Sequence, residues 1–299
     1  MTVVYGGQND SAVAIGQYAG QSAQGQAAIA IGQHAGQDNQ NPNAIAIGQC
    51  AGQQNQLWDS IAIGQLAGSH YQSAHSVAVG PYAGRYCQGH CAVAFGTCAG
   101  HTNQNCYAVA VGSSAGQSHQ SCFAVAVGNY AGNCCQGYKA VAVGANAGNY
   151  KQRNFAVAFG FNAGRCCQQT AAVAVGHAAG EYCQQNDAIA IGRAAGKVSQ
   201  QSGAIAIGTR AGWGCCCSGA TSQGQNSIAI GSYAGAYQAA AGSIILNSSG
   251  ASMNAATAGF FVSATRYEAT QDATYDGIAF YNRDTNEFSY SYQLDGGSF

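Results

Sequence analysis

The chain has 299 residues, of which only 7% are charged, and its 10 Lys and Arg against 11 Asp and Glu leave a net charge of −1. So even a balance excludes the basic footprint of a nucleic-acid-binding surface. Its 43 glycines follow no period of three, which excludes a collagen helix, and β-branched residues recurring at fixed places exclude a disordered chain.

Residues 1–10 read as a short lead-in or cap. Met1 to Gly7 has no basic start followed by an apolar run, and no segment approaches about 18 consecutive apolar residues, so neither a secretory leader nor membrane insertion is expected.

From residue 11 to 242 a unit of sixteen residues repeats, A-[VI]-A-[VIF]-G-x-x-A-G-x-x-x-Q-x-x-x, beginning with Ala12-Val13-Ala14-Ile15-Gly16, Ala19-Gly20 and Gln24. A fixed period of this length predicts a solenoid. Alternation in Ala-Val-Ala-Val is the strand period, and the glycines that follow mark turns. Each unit is therefore one coil with two short strands, and stacking the coils predicts an all-β parallel β-roll, or β-solenoid.

Both faces of the first strand are apolar, with Ala on one side and Val, Ile or Phe on the other. One face fills the coil and the other needs a cover; the pattern does not say which. No amphipathic helix is available for that purpose, so the cover is expected to be a further copy of the chain. Gln24, Gln40, Gln56, Gln72, Gln88, Gln104, Gln120, Gln136, Gln152, Gln168, Gln184 and Gln200 recur without exception and are expected to form a hydrogen-bonded amide ladder. A polar binding stripe is the alternative.

An insertion at about 213–223 interrupts the period and carries Trp213 and the triplet Cys215-Cys216-Cys217. It is either a binding loop with Trp213 as anchor or a lock between chains. Residues 243–299 alternate in Ile278-Ala279-Phe280-Tyr281 and Phe288-Ser289-Tyr290, which predicts a small C-terminal β collar that sets chain register.

Ser76-Val77-Ala78-Val79-Gly80 and its relatives resemble the heads of trimeric autotransporter adhesins, whose period is shorter. The longer A-I-A-I-G-x-x-A-G-x-x-x-Q form resembles fibre-like repeat proteins of giant DNA viruses and some phages. Ser243-Ile244-Ile245-Leu246-Asn247, Gly259-Phe260-Phe261-Val262 and Thr285-Asn286-Glu287-Phe288 are similar to passages that close such arrays, although Ala264-Thr265 depart from the pattern. The resemblance implies an intertwined homotrimer on a virion or other extracellular surface, a structural spike that attaches to a host glycan or protein receptor. A self-assembling filament without a receptor is the alternative.

Fourteen cysteines invite chemistry. Cys87, Cys135, Cys167, Cys183 and Cys215 share a corner of the repeat, and with Cys216 and Cys217 they are candidates for disulfides, since neighbouring coils lie at about 4.8 Å. Metal binding and free thiols are the alternatives, and no paired C-x2-C spacing supports a metal. His90-Cys91 with Cys98 suggests a nucleophile, yet no insertion builds a pocket there. No enzyme, cofactor or metal is expected. Asn9 and Asn247 match the acceptor pattern for N-linked sugar.

Overall fold

A computed structural model of the chain describes residues 11–214, 223–263, 278–282 and 287–291. It is an all-β parallel solenoid of about fifteen turns with sixteen-residue coils. The A-x-A strands stack into one sheet of 16 strands, and the strands that end on the repeated glutamine form a second sheet of 8. Register is strict: Val93, Ala94 and Phe95 pair with Val109, Ala110 and Val111 one coil on. The second sheet runs regularly to Cys134–Gln136 and then continues as single bridges, Tyr150 to Cys166 and Cys166 to Tyr182 among them.

One coil shows why the repeat has its composition. Ala92, Ala94 and Ala99 point inward and are fully buried. The chain turns at three left-handed residues, Cys98, Asn103 and Tyr107, with φ of 56°, 54° and 59°. Such a conformation costs an L-residue roughly 1–2 kcal/mol. Hydrogen bonds between coils offset it, from Cys98 N to Pro81 O at 2.9 Å and from Tyr107 N to His90 O at 2.9 Å. Gly96 has no such latitude: with φ at +126°, a Cβ there would lie 2.8 Å from the carbonyl carbon of Gly112 in the next coil.

The direction of the two apolar faces is now assigned. Alanine fills the coil, and Val, Ile and Phe face outward. The interior has room for methyl groups alone because the glutamine side chains occupy the rest. Gln104 is fully buried, and its Nε2 donates to Val93 O at 2.8 Å, Ala108 O at 3.1 Å and Gln120 Oε1 at 3.2 Å. The amide chain is continuous from Gln88 to Gln223. Gln223, displaced by the insertion, was not among the expected ladder residues, and the burial of the whole file removes the binding-stripe alternative.

The solenoid also runs past Gly242. Ile244–Leu246 and Phe260–Val262 extend the large sheet, and the first compact unit closes at Ser263. In these last coils the core becomes apolar. Ala239 stands in the glutamine file, bridged to Gln223, while Ile245 replaces an inward alanine and is fully buried. Residues 264–299 form a second unit, in which Ile278–Asn282 and Glu287–Ser291 pair antiparallel.

Candidate functional site

The most prominent surface is the outer face of the large sheet. Each of its sixteen strands contributes two outward apolar side chains, from Val13 and Ile15 through Phe95 and Phe159 to Phe260 and Val262. No charged or polar residue interrupts the two files. Ile15, Phe95, Phe159 and Phe260 are 47%, 54%, 56% and 53% exposed. At strand spacing the stripe is roughly 70 Å long and its two files lie about 7 Å apart. Its area, on the order of 500–700 Å², matches or exceeds the largest apolar patch of an ordinary monomer. One flank carries an outer amide file, in which Gln33 donates to Gln17 at 3.3 Å and Gln65 to Gln49 at 3.1 Å.

A second surface, unmarked by the repeat pattern, is a file of rings at another corner. His75, His90, Tyr107, Phe123, Tyr138 and Phe155 touch in succession with centroids 5.0–5.9 Å apart. Tyr107 and Phe123 lie nearly parallel, 5° apart. These positions vary in the rest of the chain, so only the stacking of coils brings the rings together.

Among the described residues the cysteines carry free thiols. Cys87, Cys135, Cys167 and Cys183 all adopt left-handed backbone with φ of 55–62°. Cys134 and Cys135 bring their sulfurs to 2.9 Å, and Cys166 and Cys167 to 3.1 Å. Burial, then the hydrogen bond and charge of the adjacent sulfur, pushes Cys134 and Cys166 up to about 11. Cys50 is raised chiefly by burial.

The other candidates fare differently. His90 Nε2 lies 3.9 Å from Cys91 Sγ, a contact at the margin of sulfur hydrogen bonding, and its ring meets that of His75, which pairs with Asp59 at 3.7 Å. His70 and His101 are held below the ordinary imidazole value by burial first and the Arg85 charge second. Among the described residues no group of three His, Cys, Asp or Glu is arranged to hold a metal ion. Trp213 is half-buried, edge-on to Tyr237 of the next coil, with the Arg210 guanidinium of its own coil over it. Asn247 is 4% exposed, and its amide nitrogen donates to Ser232 O and Ala251 O. That geometry leaves no access for a sugar, so the acceptor reading of Asn247 does not fit the folded coil. Asn9 and Cys215, Cys216 and Cys217 lie outside the described residues. No helix among those residues is long and apolar enough to cross a membrane.

Comparison with protein-family models, with curated proteins and with solved structures finds no match to this chain. The fold and surface define its class: a β-solenoid repeat protein with coils of about sixteen residues.

Proposed function

We propose that the chain is the shaft or head of a homotrimeric surface fibre, a structural spike whose three copies cover one another's apolar stripes. The observation that supports this is the unbroken outward file of Val, Ile and Phe along an otherwise sealed rod. Leaving such a file in water forgoes about 25 cal/mol for each Å² of apolar area. A parallel threefold arrangement places like coils at one level, so that Phe95 and Phe159 meet their own counterparts and fix the axial register. Rigidity comes from backbone ladders and the glutamine file. The many repeated corners, including the ring file, offer weak contacts to a host glycan or protein receptor that add through avidity. The surface of a large DNA virus particle is the setting that the repeat's resemblance suggests.

Sedimentation equilibrium of the purified chain tests the assembly. A trimer mass is expected; a monomer overturns the reading, and a dimer overturns the threefold arrangement. Electron microscopy is expected to show short rods, whereas long filaments would favour a receptor-free scaffold. Binding to a subset of a glycan array would support attachment, and silence there together with filaments would replace attachment by scaffolding.

A further inference from the structure

Cys166, Cys167 and Cys183 form a thiol cluster that neither the packing nor the proposed assembly uses. Cys167 and Cys183 hold the same place on successive coils and share the same left-handed backbone, with φ of 60° and 56°. Their amides make equivalent hydrogen bonds, Cys167 N to Tyr150 O at 2.9 Å and Cys183 N to Cys166 O at 3.0 Å, so their Cα–Cβ bonds point the same way. A coil spacing of about 4.8 Å lies within the Cα separation that a disulfide accepts. Cys183 is exposed, whereas Cys167 is half-buried.

Two further contacts hold these coils in place. Glu181, directly before this site, pairs with Arg165 at 3.5 Å on one neighbouring coil and with Lys197 at 3.3 Å on the other. By contrast, Cys134 and Cys135 face Tyr150 and Lys151 on the next coil, so they have no sulfur partner there.

We propose that Cys167 and Cys183 are a redox modification site, closing an inter-coil disulfide on exchange with a small dialkyl disulfide such as oxidised glutathione. The exposed Cys183 thiolate attacks one sulfur of the small disulfide; its S–S bond breaks, a mixed disulfide forms on Cys183, and one small thiol leaves with a proton. The Cys167 thiolate then attacks the Cys183 sulfur and expels the second small thiol. The two cysteines lose two electrons and two protons, and the small disulfide gains both as two thiols. Burial first and the neighbouring Cys167 second hold the Cys183 thiol above its ordinary value, so exchange is run in mildly alkaline buffer.

The test uses the full chain, reduced, desalted and exposed to oxidised glutathione, then alkylated and cleaved after Arg165 and Glu181. That cleavage separates Cys166 and Cys167 from Cys183. The expected result is a pair of peptides joined until reduction, lost in Cys183→Ser and Cys167→Ser and retained in Cys166→Ser. Retention of the link in Cys167→Ser, glutathione left on Cys183 without a link, or links found only between separate chains would each overturn the proposal. Circular dichroism of each variant, matched to the parent, ensures that a lost link reports the thiol and not the fold.

Discussion

A methyl group placed on Gly100 would lie 2.4 Å from Oε1 of Gln104, four residues on in the same coil. The glycine and the glutamine of the repeat are thus one device: the missing side chain of the first makes the seat of the second. Gly100 also has φ of +51°. Gly100→Ala therefore incurs the left-handed penalty, about 1–2 kcal/mol, as well as displacing the amide. The expected outcome in urea unfolding is a loss of about 2–4 kcal/mol. Gln104→Leu is expected to cost about 1–3 kcal/mol, because Val93 O, Ala108 O and Gln120 Oε1 lose a donor and Gln88 Nε2 loses one of its three acceptors. Unchanged midpoints in both variants would show the amide file to be dispensable.

The outward stripe makes an opposite prediction, a change that spares the coil and abolishes assembly. Phe95 and Phe159 are more than half exposed. In a lone chain Phe95→Asp and Phe159→Asp put a carboxylate into water at a cost of about 1 kcal/mol or less. Between copies each carboxylate is buried without a partner, a cost of several kcal/mol. The double variant is expected to sediment as a monomer with the parent's circular dichroism. Persistence of the parent's oligomeric mass would place the contact between copies elsewhere.

Much of this was legible from residues alone, for identifiable reasons. The glycine spacing fixed the period, and the alternation in Ala-Val-Ala-Val fixed the strand. The recurrence of Gln24 through Gln200 pointed to the ladder. Which face lies inside was not legible, because a rule based on polarity cannot choose between Ala and Val. Volume decides: with Gln104 lying across the coil, Ala94 leaves room and a valine there would not. Gln223 escaped notice because the insertion shifts its spacing from Gln200 to 23 residues. The extension to Ser263 was hidden because Ile245 and Ala239 exchange large and small side chains, which erases the repeat's pattern while keeping its volume. The ring file from His75 to Phe155 belongs to no repeated residue type and is visible only once the coils are stacked.

Glu181 is the one buried charge among the described residues, with its side chain 7% exposed between Arg165 and Lys197, which are 46% and 32% exposed. Glu181→Gln keeps the shape and removes the charge, leaving two cations on either side of a neutral amide. The expected loss is about 1–2 kcal/mol, smaller than for a fully buried pair because both partners reach water. Hydrogen exchange is expected to quicken at Cys166 and Tyr182, whose amides stitch these coils, and to stay unchanged near Gln40. Uniform quickening along the rod would instead mean that the coils open together.

The raised thiols set a pH window. Cys134 and Cys166 are pushed from an ordinary 9.0 to about 11 in the folded chain, by burial first and the adjacent sulfur second. The folded state thus holds these protons more tightly than the unfolded state does. Their contribution is fully present below pH 9.0 and is lost as pH rises toward about 11. Stability is therefore expected to decline across that interval in the parent. In Cys134→Ser with Cys166→Ser the decline is expected to be shallower. Alkylation reports the same shift directly, since only the thiolate reacts. In mildly alkaline solution, iodoacetamide is expected to modify Cys87, exposed and without a sulfur neighbour at its corner, before Cys134 and Cys166. Equal labelling of all three would mean that neither burial nor the paired sulfurs restrain ionisation.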